Sequence, residues 1–155
     1  MKNYTFNPLY DKSCPSNIHF TVGTVIKSDL ETVWKNVCKA DNVKKYFTTD
    51  AHRDLDKGGE VLWVWGEEAA ILNVLEVHPD EKIIFEWNGS NVEYRIRAEF
   101  IFEELKGRVK LKIKETGWEG DEPGVKSAFA NCSGWTEFLN ALKVYTEYNI
   151  SYLNK

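Results

Sequence analysis

The sequence predicts an α+β domain: a curved, antiparallel, seven-stranded sheet laid around one long C-terminal helix, with two short helices after the first strand. Three observations carry this. Apolar residues repeat at helical period before residue 50, switch to period two, and return to helical period after residue 123. The period-two segments are joined by connections too short for a crossover, which forces antiparallel neighbours. The terminal stripe extends for about 28 residues, or roughly 42 Å at 1.5 Å per residue, long enough to cross a sheet.

Residues 1–16, with Pro8 and Pro15, read as a leader to a single domain over 17–155. Residues 19–26 are rich in β-branched side chains and predict the first strand. Ser28 or Asp29 can cap a helix whose Leu30, Val33, Trp34 and Val37 form one apolar stripe, and a short helical piece covers about 41–47. Period-two segments follow at about 51–55, 60–65, 69–77, 82–87, 92–104 and 108–115, separated by Gly-, Pro- and Asn-Gly-containing turns. Ile96, Ala98, Phe100 and Phe102, then Val109, Leu111 and Ile113, form one apolar face; Lys110, Lys112 and Lys114 lie on the other, where Glu99 and Glu103 can balance them. In the final helix Pro123 suits the first turn, and Ala128, Cys132, Trp135, Leu139, Leu142 and Thr146 repeat at three and four residues, carrying the helix to Tyr152.

Composition narrows the function. With 43% hydrophobic and 28% charged residues in 155, the chain is neither disordered nor fibrous. A net charge of -4 is the wrong sign for affinity built on neutralising phosphates, so no nucleic-acid partner is expected. Cys14, Cys38 and Cys132 are far apart and odd in number, suggesting neither a disulfide framework nor a zinc ribbon. No apolar run reaches the length of a membrane span and the N-terminus lacks a signal-like stretch, so a cytoplasmic location is expected. His19, His52 and His78 are isolated, and nucleophile-elbow, phosphate-loop and HExxH patterns are missing, so no catalytic residue, metal or cofactor is assigned.

The aromatic content points to a cavity. Six Trp, seven Tyr and eight Phe build an interior of large, stiff rings. One helix offers about ten inward side chains against roughly twenty from the strands, so sheet and helix enclose space that side chains only partly fill. Gly134, inside the helix and directly before Trp135, implies either close contact of the backbone with the sheet or room beside the ring. The expected lining is Trp63, Trp65, Phe85, Trp87, Phe100, Phe102, Trp135 and Leu139, with Cys132 on the same helix stripe as a small hydrophobe. Asn73, in phase with Ile71, Leu75 and Val77, and Glu115, in phase with Val109, Leu111 and Ile113, would present polar groups to it. A buried Glu115 would titrate high and could act as acid, base or hydrogen-bond donor. Tyr46 and Phe47 fall either at the entrance or as a staple between helix and sheet.

Leu30-Glu31-Thr32-Val33-Trp34, Gly58-Gly59-Glu60-Val61, the pair of strands 74–79 and 82–87, and Gly134-Trp135-Thr136-Glu137-Phe138-Leu139 within the last helix together resemble the AHSA branch of the START-like (SRPBCC) superfamily. That branch is named for homology to a heat-shock chaperone ATPase activator. The resemblance implies the helix-grip fold with a deep hydrophobic cavity. It also implies binding of a small lipophilic ligand such as a lipid or polyketide, as carrier, sensor or sequestering protein. Two alternatives come with it: a cyclase- or hydrolase-type enzyme using Glu115, and a chaperone-associated interaction module.

Overall fold

A computed structural model of the protein describes residues 18–151. The expected leader and Cys14 lie outside the described residues. Strand β1 (Ile18–Ile26) leads into helices α1 (Leu30–Cys38) and α2 (Ala40–Tyr46); β2 (Asp50–Ala51), β3 (Gly59–Trp65), β4 (Glu68–His78), β5 (Lys82–Asn88), β6 (Arg95–Leu105) and β7 (Arg108–Trp118) follow, and α3 (Glu122–Tyr148) closes the chain. All strands form one antiparallel sheet in the order β1-β7-β6-β5-β4-β3-β2. This is the helix-grip arrangement.

Local chemistry sets the element ends. The Asp29 carboxylate accepts from the Thr32 N–H at 2.8 Å and starts α1, and the Asp121 carboxylate accepts from the Gly124 N–H at 2.8 Å and starts α3. Helix α3 stops at Tyr148, short of the expected Tyr152, because Asn149 turns left-handed (φ 53°), a conformation that asparagine adopts more readily than most residues. The strand expected over 51–55 shrinks to two residues. Beyond Ala51 the chain turns to the α1–α2 junction: the Leu55 N–H donates to the Cys38 carbonyl, and Asp54 accepts from the Ala40 N–H and the Lys39 ammonium. The strand expected from residue 92 begins at Arg95, because Asn91 is left-handed and residues 89–94 form a loop. A side chain on Gly89 would collide with the Trp118 ring, so the Asn88-Gly89 pair serves close packing rather than a two-residue hairpin.

The middle of the bowl is full. Phe138 of α3 stacks on Phe100 (5.6 Å between centroids) and Trp63 (6.2 Å), and Trp135 meets Phe85 and Phe100 edge-on. The helix lies closest to β1 and also packs on α1 and α2, so one side of the sheet is left less covered than the other. There the pairing of β4 with β5 ends at Asn73–Glu86, while β4 continues back to Glu68 and β5 on to Asn88. The two strands part, and the sheet opens.

Candidate functional site

A cleft of about 810 Å³ occupies that opening, with α3 behind it. Phe47, Trp65 and Ala70 form one wall; Trp87, Trp135 and Gly134 form the other. Phe47 is held edge-on by Trp65, Trp63 and Phe138 at centroid distances of 5.6, 6.0 and 4.9 Å, so that wall is rigid. Trp87 and Trp135 lean together at 5.2 Å. A β-carbon added to Gly134 would meet no atom within 4 Å, which decides between the two readings of this glycine in favour of open space. Polar residues border the mouth: Glu60, Glu68, Asn73, Glu86, Arg95 and Glu137.

Behind the second wall sits Glu115. Its position on β7 opposite Ala98 of β6 and Phe20 of β1 puts it between two strands, one in from the sheet edge, facing α3, and its exposure is 0%. The carboxylate accepts from the Trp135 indole N–H at 2.7 Å, the Trp87 indole N–H at 3.0 Å and the Asn131 amide at 3.2 and 3.3 Å. Asn131 in turn accepts from the Ser90 hydroxyl at 3.0 Å. Burial pushes the Glu115 pKa above the ordinary carboxylate range, and the bonds from Trp135, Asn131 and Trp87 act in the opposite direction without cancelling it. Trp87, Ser90, Asn131 and Trp135 all line the cleft, whereas Glu115 does not. One buried carboxylate therefore fixes four lining side chains, three directly and Ser90 through Asn131.

Of the residues expected at the site, Trp65, Asn73, Trp87 and Trp135 border the cleft. Trp63, Phe85, Phe100, Phe102 and Leu139 are buried in the core, Glu115 lies behind the wall, and Cys132 is half-buried away from it. Tyr46 is buried and donates its hydroxyl to the Asn36 carbonyl, while Phe47 reaches the cleft. Asn73 arrives from an unexpected side. Leu72 and Val74 point into the core, and a bulge between Val74 and Glu76 reverses the phase so that Val77 also packs inward. Asn73 and Ile71 thus belong to the outer face and reach the cleft only because the sheet parts beside them. Asn131 was missed, although its spacing of three from Ala128 and four from Trp135 places a polar group on the apolar stripe. The rim carboxylates carry no such signal, being ordinary outward residues of strands and helix.

Among the described residues, no cluster of three His, Cys, Asp or Glu is placed to hold a metal ion, and no helix is long and apolar enough to cross a membrane. The family model described as activator of Hsp90 ATPase homolog 1-like protein matches residues 27–147. The chain belongs to this family. It is an AHSA1-like branch of the START-like superfamily, and solved structures agree on the fold. SSP2350 from Staphylococcus saprophyticus superposes with a TM-score of 0.75 at 18% identity, covering 89% of this chain and 98% of that one. DynU16, a putative protein in the dynemicin biosynthetic locus, gives 0.73 at 18% identity over 84% of this chain and 48% of its own. The Aha1 dimer from Colwellia psychrerythraea gives 0.68 at 20% identity over 85% and 96%. No curated protein matches the sequence.

Proposed function

We propose that this AHSA1-like protein binds a small, largely apolar molecule in the cleft beside Gly134, acting as a cytoplasmic carrier, sensor or sequestering protein. The observation that carries the reading is the cleft itself. Its 810 Å³ falls within the roughly 300–1,000 Å³ typical of ligand sites, and aromatic walls with a few aimed polar groups are the usual lining of such sites. Membership of a superfamily whose members bind lipophilic molecules is consistent with it. The enzyme alternative is not favoured: the Glu115 carboxylate is fully buried, committed to three donors and separated from the cleft by the side chains it holds. Gly134→Leu tests the proposal, since it fills open space on the helix. Screened by thermal shift against lipids, polyketides and planar aromatic amines, the parent protein should be stabilised by at least one compound and Gly134→Leu by none; a panel that stabilises both equally, or neither, refutes it.

A second reading has its own support. Leu62, Ile71 and Leu75 are 37%, 53% and 41% exposed on the outer face of β3 and β4, with Leu62 directly opposite Ile71. Such a patch suits a protein partner, and the family description names an Hsp90 activator. Capture of an Hsp90-type chaperone by the parent and not by Ile71→Lys would support it; equal capture, or none, would remove it.

A further inference from the structure

We infer that the ligand of this cleft is a flat molecule carrying a positive charge, a protonated or quaternary amine on an aromatic frame, rather than a fatty acid or other anion. The inference rests on the cleft being the binding site and adds the sign and shape of what it takes.

The first argument is the buried anion behind the wall. Every group bonded to Glu115 is a neutral donor: two indoles and one amide. None of them can accept the proton of a carboxylic acid in this geometry, because an indole N–H is donor-only and Asn131 turns its amide nitrogen toward Glu115 and its oxygen toward Ser90. The arrangement is built for a carboxylate, yet among the described residues none of its hydrogen-bond partners is a cation. A buried charge of this kind is costly until a counter-charge comes near. The nearest open space for one is the cleft, in front of Trp87 and Trp135. Their indoles donate to the carboxylate, and that polarisation makes the ring faces better acceptors for a cation.

The second argument is the mouth. Among the described residues its carboxylates include Glu60, Glu68 and Glu86, its one arginine is Arg95, and no lysine borders it. Arg95 already faces Glu86 at 3.9 Å. Nearby Arg97 engages Glu76 at 3.9 Å and Glu99 at 3.3 Å. An anionic head group entering here would meet an excess of carboxylates with no uncommitted guanidinium, whereas a cation would be drawn in. The aromatic pairs Phe47–Trp65 and Trp87–Trp135 then supply two ring-lined walls for a flat frame.

Three fluorescent probes of one shape and different charge decide the matter: anthracenyl-methylammonium, anthracenyl-methanol and anthracene carboxylate, titrated by fluorescence anisotropy. The ammonium should bind at least about tenfold more tightly than the alcohol, equivalent to roughly 1.4 kcal/mol, and the carboxylate should bind most weakly. Gly134→Leu should abolish binding. Glu115→Gln, which keeps an acceptor oxygen for the indoles, should bring the ratio of ammonium to alcohol affinity close to one, whatever its effect on the affinity for both. Should that variant not fold, Glu60→Gln combined with Glu68→Gln should cut ammonium affinity several-fold at low salt and less at high salt. If alcohol or carboxylate binds as well as the ammonium, the charge inference fails and the cleft reading stands. Ammonium binding that survives Gly134→Leu is surface attraction and overturns the inference. If no probe binds, the inference also falls, and the thermal-shift panel then reports separately on the cleft.

Discussion

Replacing Gly134 by alanine isolates the space that the proposed function depends on. A glycine inside a helix costs about 1 kcal/mol relative to alanine, because its backbone has more freedom to lose on folding. Here the added methyl meets nothing within 4 Å, so no steric cost offsets the gain. Gly134→Ala should therefore stabilise the protein by about 0.5–1 kcal/mol, raising the Tm by roughly 1–4 °C for a chain of this length. Gly124, in the same helix, is the internal control. A β-carbon there would run into the Glu119 carbonyl and come within 2.9 Å of both the Asp121 carboxylate and the Tyr94 hydroxyl, so Gly124→Ala should destabilise despite the same intrinsic propensity. Thermal melts followed by circular dichroism, with urea titrations to check an unchanged m-value, measure both. A Gly134→Ala protein less stable than its parent would mean that the helix backbone touches its surroundings at this point, and the cleft would lose its opening.

Glu115→Gln carries a pH signature. Because the folded carboxyl holds its proton to higher pH than an unfolded one with the usual value of 4.5, the folded state binds more protons in that window, and the parent should lose stability relative to Glu115→Gln as pH rises from about 4.5. Each unit of upward shift is worth about 1.4 kcal/mol, and parallel stability profiles for the two proteins would refute the burial argument. Trp135→Phe removes the shortest bond to that carboxylate; with the acceptor left short of a donor, about 1–3 kcal/mol of stability should be lost in a denaturant titration, and a smaller loss would mean that the network is loose. Asp121→Ala should cost about 1 kcal/mol through the lost cap of α3, measured the same way. Burial pushes the Cys38 thiol far above its ordinary range, so alkylation monitored by mass spectrometry should modify it only on unfolding; rapid labelling of the native protein would contradict its packing.

Much of the architecture was legible because it depends on periodicity. The stripe from Leu30 to Val37, the alternation in β6 and β7 and the three-four spacing in α3 each name one face without ambiguity. Strand β4 does not. From Ile71 to Val77 apolar residues occur at both parities, so the pattern fits either face, and the bulge after Val74 that settles the phase leaves no mark of its own. Asn73 was therefore placed on the wrong face. Ring size was also read correctly while ring packing was not: Phe138, adjacent to the expected stripe, fills the centre against Phe100 and Trp63. The expected surplus of space survives at one end only.

That location follows from how the sheet is loaded. The helix packs closest to β1, and the rings it contributes fill the bowl beneath it. On the far side α3 reaches β3 through Phe138, which stacks on Trp63, but the first half of β4 no longer pairs with β5. A sheet kept paired there would bring Ala70 and Leu72 against Trp87, leaving no room between the walls and hiding the backbone now open to the cleft. The parting of the strands thus gives up cross-strand hydrogen bonds that a purely structural sheet would keep, and Glu115 adds a buried carboxyl whose hydrogen-bond partners among the described residues are neutral donors. Two departures from maximal stability converge on the same 810 Å³, together with a helix glycine that alanine could replace without a clash. Natural chains give up stability in this way chiefly where a site requires it, and the coincidence of all three at one cleft is the physical case for a ligand there.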